Sequence, residues 1–307
     1  MTKQRSAMNK SSDVMAAALD HRGVVAVSGA DARPFLQGLV SQDIEKVDAA
    51  HAAFGALLTP QGKFLHEFCL GELAGDLLLD CERARATDLV ARLGRFRLRA
   101  KVEIEDRSEA FQVLAVFGGN GAAHERLGLD AEPGAARPLA GGLAFVDPRL
   151  AALGCRLIVP VDADLADLAL TMTGIEAYDR RRLELGVPDG TRDMEIEKST
   201  LLEANFDALN GVDWDKGCYM GQELTARTYY RGLVKRRLIP IVFSGPAPDA
   251  GTPILADGRE VGEVRSTADG RGLANLRLDA ISGAQLTADD EPVAVALPEW
   301  LKPYTEG

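Results

Sequence analysis

The C-terminal part of the sequence is a series of short strand patterns, and it restricts the fold more than any other feature. After Arg237, apolar residues recur in five short runs separated by turn residues: LIPIVF, TPILA, REVGEVRST, GLANLRL and EPVAVAL. The pairs Asp257-Gly258 and Asp269-Gly270 are typical of hairpin turns. Evenly spaced short strands of this kind predict a small β-barrel or β-sandwich.

Before Lys235, strand and helix patterns are mixed along the chain, which predicts an α+β fold rather than a doubly wound sheet. Strict alternation between Phe96 and Ile104 predicts a strand with one buried and one charged face. Apolar spacing predicts a helix over residues 165–172, and the Pro and Gly content of residues 132–142 predicts a loop. Residues 187–211 have few regular signals, and a long irregular segment inside a domain is often functional.

Composition sets limits on the class of protein. Lys and Arg number 35 and Asp and Glu 46, giving a net charge of −11, which argues against broad nucleic-acid binding. No run of eighteen apolar residues predicts a transmembrane helix, and residues 1–14 lack the apolar core of a secretory signal. Residues 1–14 are basic and contain serine, as transit peptides do, but we expect a disordered tail there, an α+β region over residues 15–235 and a barrel over residues 236–303.

The four cysteines, Cys69, Cys81, Cys155 and Cys218, form no C-x-x-C pair and no zinc-site spacing. Without a secretory signal, reduced thiols in the cytoplasm are expected. Cys69 and Cys155 lie in strand patterns and are expected in the core. Cys81 is expected at the start of a charged helix, where its side chain can be exposed to solvent.

Cys218 lies in a locally basic stretch of an acidic protein. Residues 216–237 contain six basic residues and one acid, a local charge of +5. The run after Gly221 predicts a helix, so Cys218 is expected just before a helix N-terminus and two residues from Lys216. Both features favour thiolate over thiol. The alternative is a small buried hydrophobe, as free cysteines often are.

A single thiolate does not hold an iron–sulfur cluster unaided, since such clusters have about four protein ligands. If Cys218 binds iron, the other ligands must come from a partner. On the following helix, Arg227 and Arg231 share a face and can hold an anionic group; ordinary solvation is the alternative.

The octapeptide KGCYMGQE, Lys216 to Glu223, resembles the signature of the YgfZ-type folate-binding proteins. GADARPFLQGLVSQD (Gly29 to Asp43), LLTPQGKFLHEF (Leu57 to Phe68) and RLELGVP (Arg182 to Pro188) resemble further segments of that family in the same order. The resemblance implies an aminomethyltransferase (T-protein)-like folate-binding fold, with two intertwined ferredoxin-like α+β subdomains and a C-terminal β-barrel.

The resemblance also implies ligands and partners. Tetrahydrofolate or a derivative would bind near Glu184, which matches a pterin-contacting glutamate, and its glutamate tail would meet Arg227 and Arg231. A transient iron–sulfur cluster would be shared through Cys218 with an A-type iron–sulfur carrier or a client iron–sulfur enzyme. Lys216 would keep Cys218 ionised, and the remaining motif residues would fix the loop or meet the partner: Gly217, Tyr219, Gly221, Gln222 and Glu223.

Three functions follow from these expectations. The first is a tetrahydrofolate-binding accessory factor for iron–sulfur cluster assembly or repair, acting through Cys218, in the cytoplasm and without nucleic-acid or membrane partners. The alternative is an enzyme, a tetrahydrofolate-dependent aminomethyl- or methyltransferase that depends on a carboxylate rather than on Cys218. The third is a folate-binding module that senses redox state through Cys218.

Overall fold

The protein is described from a computed structural model that covers residues 14–281, 283 and 285–305. Except for Val14, the predicted disordered tail lies outside these residues. The helices of the described ranges are α1 (Ala32–Gln37), α2 (Ala86–Gly94), α3 (Ala122–Leu127), α4 (Ile175–Leu185), α5 (Gly190–Asp193) and α6 (Gln222–Tyr230). None of these helices combines the length and the apolarity needed to cross a membrane.

The strands form two open sheets and a barrel. They are β1 (Met15–Ala18), β2 (Arg22–Ser28), β3 (Ala53–Leu58), β4 (Phe64–Leu73), β5 (Asp76–Glu82), β6 (Glu103–Asp106), β7 (Phe111–Phe117), β8 (Ala136–Leu139), β9 (Gly142–Val146), β10 (Cys155–Pro160), β11 (Thr171–Thr173), β12 (Arg236–Phe243), β13 (Pro253–Ala256), β14 (Arg259–Ala268), β15 (Arg271–Arg277), β16 (Leu286–Ala288) and β17 (Glu291–Val295).

The two open sheets are intertwined along the chain. One has the order β11-β1-β7-β10-β9-β8 and the other β3-β4-β5-β2-β6. The chain places β1 in the six-stranded sheet, builds the whole five-stranded sheet with β2 to β6, and returns to the first sheet with β7. This crossing accounts for the mixed strand and helix patterns before Lys235.

A shared core joins the sheets, and residues 187–211 contribute to it. Leu201, Phe206 and Leu209 from this segment are buried with side chains of both sheets. The rings of Phe54 on β3 and Phe206 have centroids 4.7 Å apart. Burying a side chain of this size stabilises the fold by about 2–3 kcal/mol. The irregular segment is therefore a structural part of the core.

The C-terminal strands close into a barrel in the order β12-β15-β14-β13-β16-β17, which confirms the barrel prediction. β16 was missed because it is only three residues long. The barrel is attached to α4, since Trp300 Nε1 donates to Leu185 O at 2.8 Å. It is also attached through Ser266, whose hydroxyl accepts a hydrogen bond from Arg182 at 2.9 Å.

Two predicted elements are wrong, for backbone reasons. The strand predicted over residues 95–105 exists only as β6. The N–H groups of Arg95 and Phe96 instead donate to carbonyls in the last turn of α2, so they are not available to a neighbouring strand. The helix predicted over residues 165–172 is one 3-10 turn, Ala166–Leu168, followed by β11, because Ala169 has a left-handed φ of 46°. The predicted loop over residues 132–142 contains the edge strand β8.

Candidate functional site

Residues 213–221, called the Cys218 loop, are bound to two distant segments of the chain. Asp213 N donates to Ser41 O, and Met220 N donates to Gly38 O, both at 3.0 Å. Gly221 lies against the turn between β3 and β4 with φ at 81°, and a Cβ there would lie 2.4 Å from Thr59 O. The fold thus brings together three of the segments that carry the family resemblance.

Lys216 anchors this loop through its side chain. Its ammonium donates to three carbonyl oxygens, those of Gln37 at 2.9 Å, Val40 at 2.7 Å and Gln42 at 2.6 Å. Burial lowers the pKa of Lys216 to about 8. Because an ammonium has three N–H donors, no donor remains for the sulfur. Its hydrogen bonds are with backbone carbonyls, and an effect of its charge on the ionisation of Cys218 stays a prediction.

The other motif residues have distinct surroundings. Gln222 Oε1 accepts a hydrogen bond from Tyr219 N at 3.1 Å, which closes the loop onto the start of α6. Tyr219 is buried, and burial raises the pKa of its phenol to about 12. Glu223 is exposed, and a Cβ at Gly217 would have no neighbour within 4 Å. Tyr219, Gly221 and Gln222 therefore hold the loop, while Gly217 and Glu223 face open space.

Cys218 is the exposed member of the four cysteines, all of which lie in described ranges. The other three are buried, and burial raises the pKa of each thiol to about 12. Cys69 and Cys155 are core residues as expected, whereas Cys81 has no exposed surface. Among the described residues, no group of three or more His, Cys, Asp or Glu is arranged to hold a metal ion.

The three residues expected to bind folate do not line one described cavity. Glu184 is half-exposed near the end of α4 and lies 3.3 Å from Arg181. Arg227 and Arg231 are exposed on α6 and just beyond it.

An aromatic stack fixes α6 to the Cys218 loop. The ring centroids of Trp214 and Tyr229 are 3.8 Å apart with planes at 17°, and Tyr230 meets both rings edge-on. Offset stacking of this kind adds about 1 kcal/mol beyond the buried area. The position of α6 relative to Cys218 is therefore well defined.

A cavity of about 320 Å³ opens where β2, the end of β5 and α5 meet. His21 Nε2 lies 3.2 Å from Asp189 Oδ2, and Thr191 Oγ1 donates to Glu82 Oε1 at 2.8 Å in its wall. Among the described residues, His21 Nδ1 is buried without a hydrogen-bond partner. Sequence patterns did not identify these residues. The irregular segment 187–211, which carries Asp189 and Thr191, was the available signal.

Buried charges stiffen the wall behind this cavity. Arg22 donates to Glu67 and, at 2.7 Å, to Asp80, which also pairs with Arg156. Burial alone would raise the pKa of Asp80, but Arg156 and Arg22 hold it below its usual range. Removing one partner of such a group leaves an uncompensated charge, so these side chains are fixed in position.

The fold has a known counterpart. Glycine cleavage system aminomethyltransferase T from Bartonella henselae aligns with a TM-score of 0.76 at 17% identity, over 94% of this chain and 86% of that chain. This likeness confirms the predicted α+β, T-protein-like fold. Residues 235–303 match the family described as the CAF17 C-terminal beta-barrel domain.

Two relatives are similar over most of this chain. The human iron-sulfur cluster assembly factor IBA57, mitochondrial, is 33% identical over 305 residues, covering 92% of this chain and 84% of the relative. The Mycosarcoma maydis homologue is 34% identical and covers 81% of this chain and 63% of the relative. Both names say mitochondrial, which overturns the predicted cytoplasmic location. With this identity over so much of its length, the chain belongs to the family of IBA57 iron–sulfur cluster assembly factors.

Proposed function

We propose that this protein is an accessory factor for iron–sulfur cluster assembly or repair, with Cys218 as its point of action. The names of its relatives support the general role. The observation that carries the assignment to Cys218 is its exposure on an anchored loop, while the other three thiols are buried. The octapeptide around it is the reason to place the chain, more finely, among the YgfZ-type proteins.

In this proposal Cys218 supplies one thiolate ligand to a cluster, and a protein partner supplies the rest. Iron–sulfur clusters have about four protein ligands, so one cysteine suits a shared, transient cluster. An exposed position lets a partner approach the sulfur. The bonds from Lys216 and the glycine contact at Gly221 hold the loop in place, which reduces the ordering cost when the partner binds.

The test is anaerobic mixing of the protein with an A-type iron–sulfur carrier, iron and sulfide. We expect a visible cluster chromophore that requires both proteins and disappears with Cys218→Ala. The matched control is Cys155→Ala, which removes a buried thiol on β10 and should retain the chromophore. A full chromophore from Cys218→Ala would contradict the assignment.

We also propose that tetrahydrofolate, or a derivative, binds in the cavity beside Asp189. Its volume of about 320 Å³ lies at the lower end of small-molecule sites. Carboxylates of Asp189 and Glu82 lie in its wall, and carboxylates accept paired N–H bonds of the kind a pterin edge offers. The buried Nδ1 of His21 supports a polar ligand, because it has no hydrogen-bond partner among the described residues.

Cavity filling tests this site. Ala84 is an exposed residue that lines the cavity, so Ala84→Trp should weaken tetrahydrofolate binding by about tenfold or more without unfolding the chain. Thr87→Trp, on the exposed side of α2, is the control and should bind normally. Equal binding by both variants would exclude the cavity. A loss with Glu184→Gln instead would place the pterin beside α4.

We further propose that Arg227 and Arg231 bind the glutamate tail of the folate. Replacing both by Ala should weaken polyglutamyl tetrahydrofolate more than the monoglutamyl form, because only the longer tail carries the extra carboxylates. An equal effect on both forms would remove these arginines from the folate site.

The alternative, a folate-dependent aminomethyl- or methyltransferase, has less support. In the described cavity the carboxylate of Asp189 is engaged by His21 and Arg192, and that of Glu82 by Thr191. These contacts leave lone pairs that can accept N–H bonds from a ligand. Burial alone would raise the pKa of Asp189, but His21, Arg182 and Arg22 hold it well below its usual range, so this carboxylate is a weak base towards a bound donor. We therefore expect no turnover with aminomethyl or methyl donors; measurable turnover that is lost in Asp189→Asn would favour the transferase.

A further inference from the structure

The turn after α2 forms a second exposed surface near the Cys218 loop. Residues 94–101, called the basic loop, are exposed from Gly94 to Arg99. Phe96 is 41% exposed and Leu98 90% exposed. A single exposed apolar residue needs no explanation, but two large ones on one turn, two residues apart, form a candidate contact surface.

The backbone holds Leu98 in this outward position. Its φ is 43°, in the left-handed region, which costs a residue with a side chain about 1–2 kcal/mol. The turn is stabilised by hydrogen bonds to α2 and by Ala100 N donating to Arg97 O at 2.8 Å. The backbone of the turn therefore holds the Leu98 side chain exposed. Backbone strain of this kind is concentrated at binding and switching sites.

Four cations alternate with these apolar residues along the chain: Arg95, Arg97, Arg99 and Lys101. Within the described part of the chain, none of them has an ion-pair partner or a side-chain hydrogen bond to another side chain or carbonyl. The whole protein has a net charge of −11, so this patch stands out against the overall field. Such a patch attracts an acidic surface on another molecule.

A groove connects the basic loop with the Cys218 loop. It has a volume of about 350 Å³, and Arg95 and Phe96 line one side of it. The turn between β3 and β4 also lines the groove, as does Met220, two residues from Cys218. Glu197, an acid in this lining, lies 3.6 Å from Arg92. The groove is therefore lined by residues of both the basic loop and the Cys218 loop.

We propose that the basic loop and this groove are the docking site for an acidic protein segment that inserts an apolar side chain beside Phe96 and Leu98. This rests on the proposed function, because the segment belongs to the partner that completes the cluster ligands at Cys218. Charge complementarity selects the acidic segment, and the concave groove accommodates a side chain. A flat anionic membrane would contact the basic loop but would leave the groove unfilled.

The affinity of the cluster-free A-type carrier for four variants tests the site by calorimetry at low and high salt. Arg97→Glu with Arg99→Glu should weaken binding by about tenfold or more and reduce its salt dependence. Phe96→Ser with Leu98→Ser should weaken binding similarly with unchanged salt dependence. Arg259→Glu on β14 and the exposed Val161→Ser are matched controls that should bind like the wild type.

A synthetic peptide of alternating glutamate and leucine separates this inference from the proposed function. We expect it to bind the wild type and Cys218→Ala equally, to fail with both basic-loop variants, and to compete with the carrier. If the peptide shows this pattern and no chromophore forms with any carrier, the docking site stands and the proposed function falls. If the peptide and the carrier bind the basic-loop variants as tightly as the wild type, the docking site is overturned.

Vesicles of phosphatidylcholine and phosphatidylserine in equal parts test the alternative that the basic loop binds a membrane. We expect no co-sedimentation of the protein with them at physiological salt. Co-sedimentation that disappears with Phe96→Ser and Leu98→Ser would reassign the basic loop to a membrane surface and overturn the inference.

Discussion

At the scale of single residues, exposure separates one thiol from three others. Cys218 is open to solvent, while Cys69, Cys81 and Cys155 are buried and burial raises the pKa of each to about 12. Because the thiolate is the reactive form, the buried thiols are inert in the folded protein. Chemistry at sulfur is therefore confined to one position.

Alkylation measures directly which of the four thiols is accessible in the folded protein. We expect iodoacetamide to add one group to the native protein, at Cys218, and four groups after unfolding in denaturant. Intact mass and peptide mapping give the number and the position. A native protein with a second rapid adduct would show that another cysteine is accessible.

His66 gives the protein a pH dependence that belongs to one residue. It lies buried on β4, 3.0 Å from Asp88, and burial and then Arg85 lower its pKa from 6.5 to about 4. Between these values the unfolded chain binds the proton and the folded chain does not, so stability falls as the pH falls from 6.5 to 4. The contribution is at most about 3 kcal/mol.

Denaturant titrations across this range measure the effect. The wild type should lose more stability than His66→Gln between pH 6.5 and pH 4, since glutamine carries no proton to gain. Parallel curves for the two proteins would show that His66 titrates normally in the folded state.

At the scale of elements, Lys216 anchors the Cys218 loop to residues 37–42. Lys216→Met should leave three carbonyl oxygens without their donor and destabilise the loop by about 2–4 kcal/mol. Hydrogen exchange of residues 37–42 and 213–221 should then increase. Lys46→Met is the matched control, because Lys46 also contacts Asp213 but its side chain is 62% exposed. Equal exchange in both variants would mean that Lys216 is not the anchor.

Elements with strong local signals were predictable, and those defined by distant contacts were not. Five of the six barrel strands follow from short apolar runs and turn residues, and α6 follows from helical spacing. The alternating run from Phe96 to Ile104 predicted too long a strand, because the N–H groups of Phe96 and Arg97 donate to carbonyls of α2 instead of pairing with a strand.

In the candidate site, the octapeptide directed attention to Cys218. The three carbonyl oxygens that bind the Lys216 ammonium could not be predicted, because they lie more than 170 residues away in sequence. The wall of the cavity was missed for the same reason. His21 and Asp189 meet only through the tertiary fold, and neither lies in a motif.

At the scale of the whole molecule, buried polar contacts join the barrel to the two sheets. Arg237 on β12 donates to Asp207 at 2.7 and 2.8 Å and to Leu202 O at 2.7 Å. Both side chains of this pair are almost fully buried. The position of the barrel against α4 and residues 187–211 therefore depends on a few specific bonds.

Arg237→Met should reduce the free energy of unfolding by about 3–5 kcal/mol, because it leaves the Asp207 carboxylate buried and unpaired. Adding Asp207→Leu should restore much of the loss, since the buried charge is then removed as well. Arg277→Met, which breaks an exposed pair with Asp279 in the same barrel, should change stability little. A large loss that persists in the double variant would assign the effect to packing instead.

The role of Cys218 as a cluster ligand is tested most directly by the accessibility of its sulfur when a cluster is present. An anaerobic mixture with an A-type carrier is treated with iodoacetamide, with and without the cluster, and adducts at Cys218 are counted by peptide mapping. We expect labelling of Cys218 in the cluster-free mixture and protection once the cluster has formed. Equal labelling of Cys218 in both mixtures would contradict it, because the sulfur would then not be bound to iron.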